Sequence, residues 1–333
     1  MSRILITGIA GSGGSYLAEY IVQNHPECQL FGLVRWHSNS SLKNLAAIQD
    51  RIGIAESDLC DLGSVIKALQ EIKPDIIFHL ASHANVHASF ITPSAVMQNN
   101  VQGTLNLLEA VRALGLNPTI QLCSTSEVYG QVDTADVPIK ESCPLKPANP
   151  YAISKLAQDM LGLCYFNSYG LKVIRTRAFT YINPRRQDLF SSSFANQCAR
   201  VEAGLQKEVL HGNLNSIRTL VDVRDICRAY WLAVEKCRPG EVYNIGGTNS
   251  MTVGELLFKL TKKCKVPIPT KLSQGLLRPS DVTLQIPDCT KFIAETGWKP
   301  EIDFDESLGW LLNSYRDSLA RQSSQIQSPP SSG

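Results

Sequence analysis

Tyr151 and Lys155 stand four residues apart in Tyr151-Ala152-Ile153-Ser154-Lys155, at the start of a strongly helical stretch. On a helix this spacing stacks a phenol and an ammonium on one face, one turn apart. A neighbouring ammonium favours the phenolate and lowers a tyrosine pKa from its ordinary value of about 10. The pair therefore predicts a proton acceptor working near neutral pH. The spacing alone arises often by chance. Two other segments give it weight: Cys123-Ser124-Thr125-Ser126-Glu127, a hydroxyl and carboxyl cluster leaving an apolar strand, and the glycine-rich Thr7-Gly8-Ile9-Ala10-Gly11-Ser12-Gly13-Gly14 far upstream.

The upstream loop follows the apolar strand Ile4-Leu5-Ile6 and opens a helix, with glycines at 8, 11 and 14. Glycine allows the tight turn and lets backbone amides approach a pyrophosphate, whose charge then lies at the positive end of the helix. Thr7, Gly8, Gly11, Ser12, Gly13 and Gly14 are the predicted phosphate-binding residues. A carboxylate ending the second strand would bind the ribose hydroxyls of NAD, but Val34-Arg35-Trp36-His37 offers none, and no acid follows until Asp50. Arg35 is suited instead to the extra phosphate of NADP; a solvated surface arginine is the alternative. Asp58 and Leu59, after the third strand, are placed at the adenine, with Asp58 equally suited to cap the helix spanning Leu62 to Glu71.

These residues need a scaffold that brings strand ends together. Short apolar runs, among them Leu30-Phe31-Gly32-Leu33-Val34, Asp75-Ile76-Ile77-Phe78-His79-Leu80, Thr119-Ile120-Gln121-Leu122-Cys123 and Lys172-Val173-Ile174-Arg175-Thr176, alternate with amphipathic stretches. The runs lack a polar face, as strands of a parallel sheet covered on both sides do. The alternation predicts an α/β fold, a doubly wound parallel sheet of Rossmann type with a smaller mixed α/β C-terminal substrate domain. The expected division is 1–183 for the NADP-binding domain carrying the Tyr-x-x-x-Lys unit, 184–321 for a mostly substrate-binding domain, and 322–333 for a Ser, Gln and Pro tail too polar to bury a core.

Composition narrows the partners. With 32 Lys and Arg against 30 Asp and Glu, scattered along 333 residues, nucleic acid is not the expected partner. No run approaches the roughly 18 apolar residues that span a bilayer, and the chain enters its first strand without a leader, so a cytoplasmic, membrane-free protein is expected. The ten cysteines form no Cys-x-x-Cys pair, which predicts reduced thiols and no metal site. The sequon Asn39-Ser40-Ser41 is read as chance.

With the glycine loop, Ser124-Thr125-Ser126-Glu127 and Tyr151 to Lys155 assembled, the chain resembles an extended short-chain dehydrogenase/reductase. More narrowly it is similar to the GDP-sugar branch holding GDP-mannose 4,6-dehydratases and GDP-4-keto-6-deoxymannose reductases. The likeness runs from Thr7 to about Arg316 and includes Gly13-Gly14-Ser15-Tyr16-Leu17-Ala18-Glu19, Pro184-Arg185-Arg186, Gly212-Asn213-Leu214, Arg278-Pro279-Ser280-Asp281 and Gly297-Trp298-Lys299-Pro300. The resemblance implies that Thr125, Glu127, Tyr151 and Lys155 are catalytic. In that scheme Tyr151 takes the proton of the sugar 4-hydroxyl, Thr125 hydrogen-bonds the same oxygen, Lys155 holds the nicotinamide ribose, and Glu127 removes the C5 proton and protonates the departing 6-hydroxyl. It further implies that Leu80, Ala81, Ser82 and Arg186 contact NADP, that Ser89, Asn183, Arg185, Arg218 and Arg278 contact a GDP-hexose substrate, and that the protein forms a homodimer or homotetramer.

The chain departs from this pattern at Phe179-Thr180-Tyr181, where the family reads Phe-Asn-His, and at His83, which is either a satisfied polar residue or a new sugar contact. Asp222-Val223-Arg224-Asp225 and Ala229-Tyr230-Trp231-Leu232 look more like the reductases. Three readings follow: a GDP-hexose 4,6-dehydratase with tightly bound NADP, an NADPH-dependent reductase of the 4-keto sugar, and a non-catalytic NADP-binding protein. The apolar spacing of Leu107, Leu108, Val111 and Leu114 is compatible with a subunit interface and equally with core packing.

Overall fold

The computed structural model describes residues 1–35, 42–277 and 282–327; the sequon and Arg278 lie outside them. The first half of the chain runs β1 (Arg3–Thr7), α1 (Ser12–Asn24), β2 (Gln29–Val34), β3 (Ile52–Glu56), α2 (Leu62–Ile72), β4 (Ile76–His79), α3 (Val86–Ile91), α4 (Pro93–Met97), α5 (Gly103–Ala113), β5 (Thr119–Thr125), α6 (Pro150–Tyr169) and β6 (Val173–Ala178). The second half runs β7 (Tyr181–Ile182), α7 (Phe190–Glu202), β8 (Val209–His211), β9 (Ile217–Asp222), α8 (Val223–Lys236), β10 (Val242–Ile245), β11 (Asn249–Thr252), α9 (Val253–Lys262), β12 (Thr270–Leu272), β13 (Leu284–Gln285), α10 (Thr290–Thr296) and α11 (Phe304–Gln327).

Seven strands form one parallel sheet in the order β10-β6-β5-β4-β1-β2-β3. Ile4, Leu5 and Ile6 of β1 are all fully buried, because helices cover both faces and no residue of a central strand reaches water. The strand order reverses beside β1, and the crevice that opens there, beyond the carboxyl ends of β1 and β4, is where sheets of this kind take ligands. β10 comes from beyond Pro184, yet it extends the main sheet, and α8 packs against β5 and β6. Spatial layer and chain order therefore part at this point. A second unit gathers β9, β11 and β13, with β7 paired to β9, around a core including Phe194, Leu256, Leu260, Leu308, Leu311 and Leu312.

Leu107, Leu108 and Val111 are fully buried within the chain, so their spacing serves the core rather than a subunit interface. The expected tail boundary moves as well. α11 continues to Gln327, because a helix anchored by buried Leu308, Leu311, Leu312 and Tyr315 propagates at low cost through residues that would not start one.

Candidate active site

The cleft begins where β1 delivers Thr7. The buried Thr7 hydroxyl accepts the Ala81 N–H at 3.2 Å, so its own proton goes to His79 Nδ1 at 2.8 Å. The Nε2–H of His79 then faces Thr104 Oγ1 at 2.8 Å, and Thr104 donates to the Asn100 carbonyl. Each hydrogen is accounted for by a neutral imidazole. Burial, with help from the Lys155 charge, pushes the His79 pKa down to about 3. His79 is thus a buried strut joining β1, β4 and α5, and not an acid-base group.

Gly8 has φ +71°, and a Cβ there would lie 2.8 Å from Ala81 Cα. A Cβ on Gly14 would lie 2.2 Å from the Gly8 carbonyl oxygen. Both positions need glycine so that the turn can close on the start of α1, where Gly8, Gly11, Ser12, Gly13 and Gly14 line the cleft beside Leu80, Ala81 and Ser82. The Ser82 hydroxyl is buried in this wall without a hydrogen-bond partner among the described residues. A glycine cradle at a helix N-terminus and an orphaned hydroxyl fit the pyrophosphate of a dinucleotide. Gly8→Ala is expected to introduce about 1–2 kcal/mol of strain beyond its contact with Ala81, and so to weaken dinucleotide binding by roughly tenfold or more. A fluorescence titration measures this.

Tyr151 and Lys155 stand in the first turns of α6. Asn149 caps this helix by accepting the Ala152 N–H on Oδ1 at 2.8 Å, and Pro150 occupies its first position. Both side chains are buried in the cleft wall. The Thr125 hydroxyl lies near enough to the Tyr151 phenol to favour its phenolate slightly, while Lys155 Nζ donates to the Cys123 carbonyl at the end of β5. The expected lowering of the Tyr151 pKa is not what this geometry produces. Burial pushes the phenol up, and the cation that opposes this is Arg186 rather than Lys155, whose ammonium is turned to the β5 backbone. Burial also pushes the Lys155 pKa down.

Glu127 follows Thr125 in a short turn, its N–H on Thr125 Oγ1 at 3.3 Å. Its carboxylate accepts from Asn149 Nδ2 at 3.2 Å and from Gln285 Nε2 at 3.3 Å. Thr125, Glu127, Tyr151 and Lys155 thus line one cleft of about 460 Å³, together with Arg186, Arg218, Tyr181 and Tyr230.

Several expected contacts lie elsewhere. Arg185 turns away from the cleft onto α1, donating to Ser15 at 2.9 Å and Glu19 at 2.6 Å with its guanidinium 3.9 Å over the Tyr16 ring. Asn183 is fully buried and donates to the Ser12 carbonyl at 3.2 Å. Both clamp the segment after β7 to α1. The Ser89 hydroxyl is buried and bonds the Val86 carbonyl of its own helix. Asp58 does not cap α2. Its carboxylate accepts the Cys60 N–H, and Asp61 makes the cap through Ser64 N at 2.8 Å. Leu59 is buried, with its carbonyl taken by Asn106, and neither Asp58 nor Leu59 is among the cleft-lining residues. Arg35 is exposed at the end of β2, close enough to Cys60 and His83 for its charge to act on both. His83 is tied through its backbone to Asn100 at 2.7 and 3.2 Å and is also absent from the cleft wall.

Sequence reasoning missed Gln285 and Tyr230 in the cleft, and Asn149, which holds the Glu127 carboxylate from beside it. Asn149-Pro150 carries a recognisable helix-start signature. Gln285 has no local signal, because it lies 158 residues from the carboxylate it touches.

A parallel sheet with a glycine-lined helix start at its switch point, and a Tyr-x-x-x-Lys helix alongside, defines a dinucleotide-binding fold of the short-chain dehydrogenase/reductase type. The GDP-mannose 4,6 dehydratase family matches residues 5–309, and the chain belongs to that family. GDP-6-deoxy-D-mannose reductase of Pseudomonas aeruginosa is 31% identical over 322 residues, spanning 96% of this chain and 99% of the relative. GDP-mannose 4,6-dehydratase of Vibrio cholerae is 28% identical over 342 residues, 91% of each chain. The solved structure of RMD from Pseudomonas aeruginosa complexed with NADPH superposes with a TM-score of 0.83 at 30% identity, covering 96% of this chain and 100% of that one. Among the described residues no helix is long and apolar enough to cross a membrane.

Proposed function

We propose that the protein is an NADP-dependent lyase that dehydrates a GDP-hexose, GDP-mannose in particular, to the 4-keto-6-deoxy sugar. The observation that carries this is the Glu127 carboxylate, fixed by two amides in the same cleft as the Thr125–Tyr151 pair. A carboxyl function beside the phenol has a task in elimination and none in a simple carbonyl reduction.

The Gly8 to Gly14 cradle, with Ser82 and Arg186 beside it, would hold the dinucleotide, and Lys155 would bond its nicotinamide ribose. When bound, its nicotinamide supplies hydride acceptance and return. Arg35 at the end of β2, with no acid following it before Asp50, supports NADP over NAD, because a cation there meets a 2′-phosphate. Tyr151 accepts the proton of the sugar 4-hydroxyl, with Arg186 favouring the phenolate and Thr125 steadying the oxygen. A ketone at C4 acidifies the C5 hydrogen. Glu127 removes that proton and delivers it to the departing 6-hydroxyl, so that one water leaves; return of the hydride to C6 and of a proton, the one taken up by Tyr151, to C5 then completes the 4-keto-6-deoxy sugar with no net oxidation. Arg218, lining the outer cleft, supplies a cation for the nucleotide diphosphate, and Arg278 is expected to add a second.

A second reading, reduction of a 4-keto-6-deoxy sugar with NADPH, is favoured by one observation. The reductase relative matches this chain almost end to end. Incubation with GDP-mannose and no added reductant separates the two. Loss of one water by mass spectrometry, without accumulation of NADPH, is the expected result. An unchanged sugar together with NADPH consumption on the 4-keto sugar would transfer the assignment to the reductase.

A further inference from the structure

The two amides on Glu127 come from different parts of the molecule. Asn149 belongs to the helix that carries Tyr151, and its other amide atom is committed to the α6 cap. Gln285 arrives from β13 of the second unit and is only 2% exposed. Among the described residues, Glu127 is the only hydrogen-bond partner of its side chain.

The backbone around Gln285 is held to the segment that follows Glu127. Thr283 N donates to Gln131 Oε1 at 2.8 Å, Ile139 N donates to the Ile286 carbonyl at 2.8 Å, and Asp288 N donates to the Ile139 carbonyl at 2.8 Å. β13 also pairs with β9 in a register that sets Gln285 beside Arg218, and both line the cleft. One strand pair of the second unit therefore presents a cation to the cleft and an amide to the carboxylate.

A carboxylate has about two acceptor sites on each oxygen. Asn149 uses one on Oε2 and Gln285 uses one on Oε1, and donors on both oxygens fix the plane of the group. The remaining acceptor sites belong to the cleft, where one orientation must meet first the C5 hydrogen and then the 6-oxygen. With Asn149 alone, the carboxylate is free to swing about a single contact. We propose that Gln285 is a positioning residue for Glu127, through which the second unit aligns the catalytic carboxylate for elimination. This rests on the dehydratase reading above.

The test is Gln285→Met, which keeps the length of the side chain and removes its hydrogen bonds; β13 pairing is made by backbone and should persist. The kcat for water loss is expected to fall roughly 10- to 100-fold, a fraction of the roughly 10²–10⁴ that a positioned acid-base group contributes. The KM for GDP-mannose should stay within about threefold, since a misaligned group weakens the transition state more than substrate binding. Because the step before Glu127 is untouched, quenched single-turnover mixtures should accumulate the 4-keto hexose that still holds its 6-oxygen. Gln285→Asn, whose amide is drawn back by one methylene, should behave in the same way and covers the case in which the Met variant does not fold. An unchanged kcat, a raised KM with kcat intact, or a slower reaction without the 4-keto hexose would overturn the proposal. Absence of water loss in the unsubstituted protein is a different result: it removes the dehydratase reading, and this inference with it.

Discussion

Glu127→Gln is expected to lower the rate of water loss from GDP-mannose by about a thousandfold, within the roughly 10²–10⁴ range for a positioned acid-base group, while dinucleotide binding remains unchanged. The amide matches the carboxylate in shape, so Thr125 and Tyr151 keep their places, but it cannot take the C5 proton. Glu127 lies in the turn that follows β5, and its carboxylate is held by Asn149 and Gln285 rather than by the glycine loop. Quenched reactions should therefore contain the 4-keto hexose with its 6-oxygen retained. Tyr151→Phe should fail one step earlier, with similar loss of rate and no 4-keto hexose, because the proton of the 4-hydroxyl then has no acceptor. Undiminished water loss in the Glu127 variant would remove the elimination role.

Asp159→Asn should destabilise the fold by about 3–5 kcal/mol, the cost of stranding buried charges without their partner. Asp159 is fully buried on α6 and accepts from Arg175 at 2.9 Å and from Arg177 at 2.9 Å. Arg177 reaches on to Tyr129 at 3.0 Å, and Tyr129 donates to Asn244 at 2.7 Å. Four elements around the end of β5, namely α6, β6, the turn after β5 and β10, thus depend on one carboxylate. Burial alone would push the Asp159 pKa up, but the two guanidiniums outweigh it and hold the carboxyl below its ordinary range. A folded pKa below the unfolded value of about 3.9 means that the stabilisation is fully present above that value and is lost as pH falls through the lower folded one. The difference between the two proteins in guanidinium unfolding should therefore be constant from neutral pH down to about pH 5 and shrink only in stronger acid. A difference that changes between pH 5 and 8 would point to another titrating group.

The parts of this protein that repeat at short range were legible in its sequence. Apolar runs without a polar face specify buried parallel strands, and glycines directly after the first of them specify a phosphate cradle, because turn geometry depends on residues a few positions apart. The Tyr151-to-Lys155 spacing and the Thr125-x-Glu127 unit are likewise local, and the cleft contains all four residues. Direction was not legible. Arg185 and Arg186 are neighbours in sequence, but one clamps α1 while the other enters the cleft, because the chain turns there, with the Arg186 N–H on the Asn183 carbonyl, and the turn points the two side chains apart. The electrostatics of Tyr151 depended on depth of burial and on where the Lys155 ammonium turned, both set by packing of α6 on β5. Gln285 reached Glu127 only because β13 is strapped beside β9 and the 131–139 segment. Sequence determines what a segment can form and which chemistry it carries; which side chains meet across more than a hundred residues is decided by the packing of whole elements, and no local pattern encodes it.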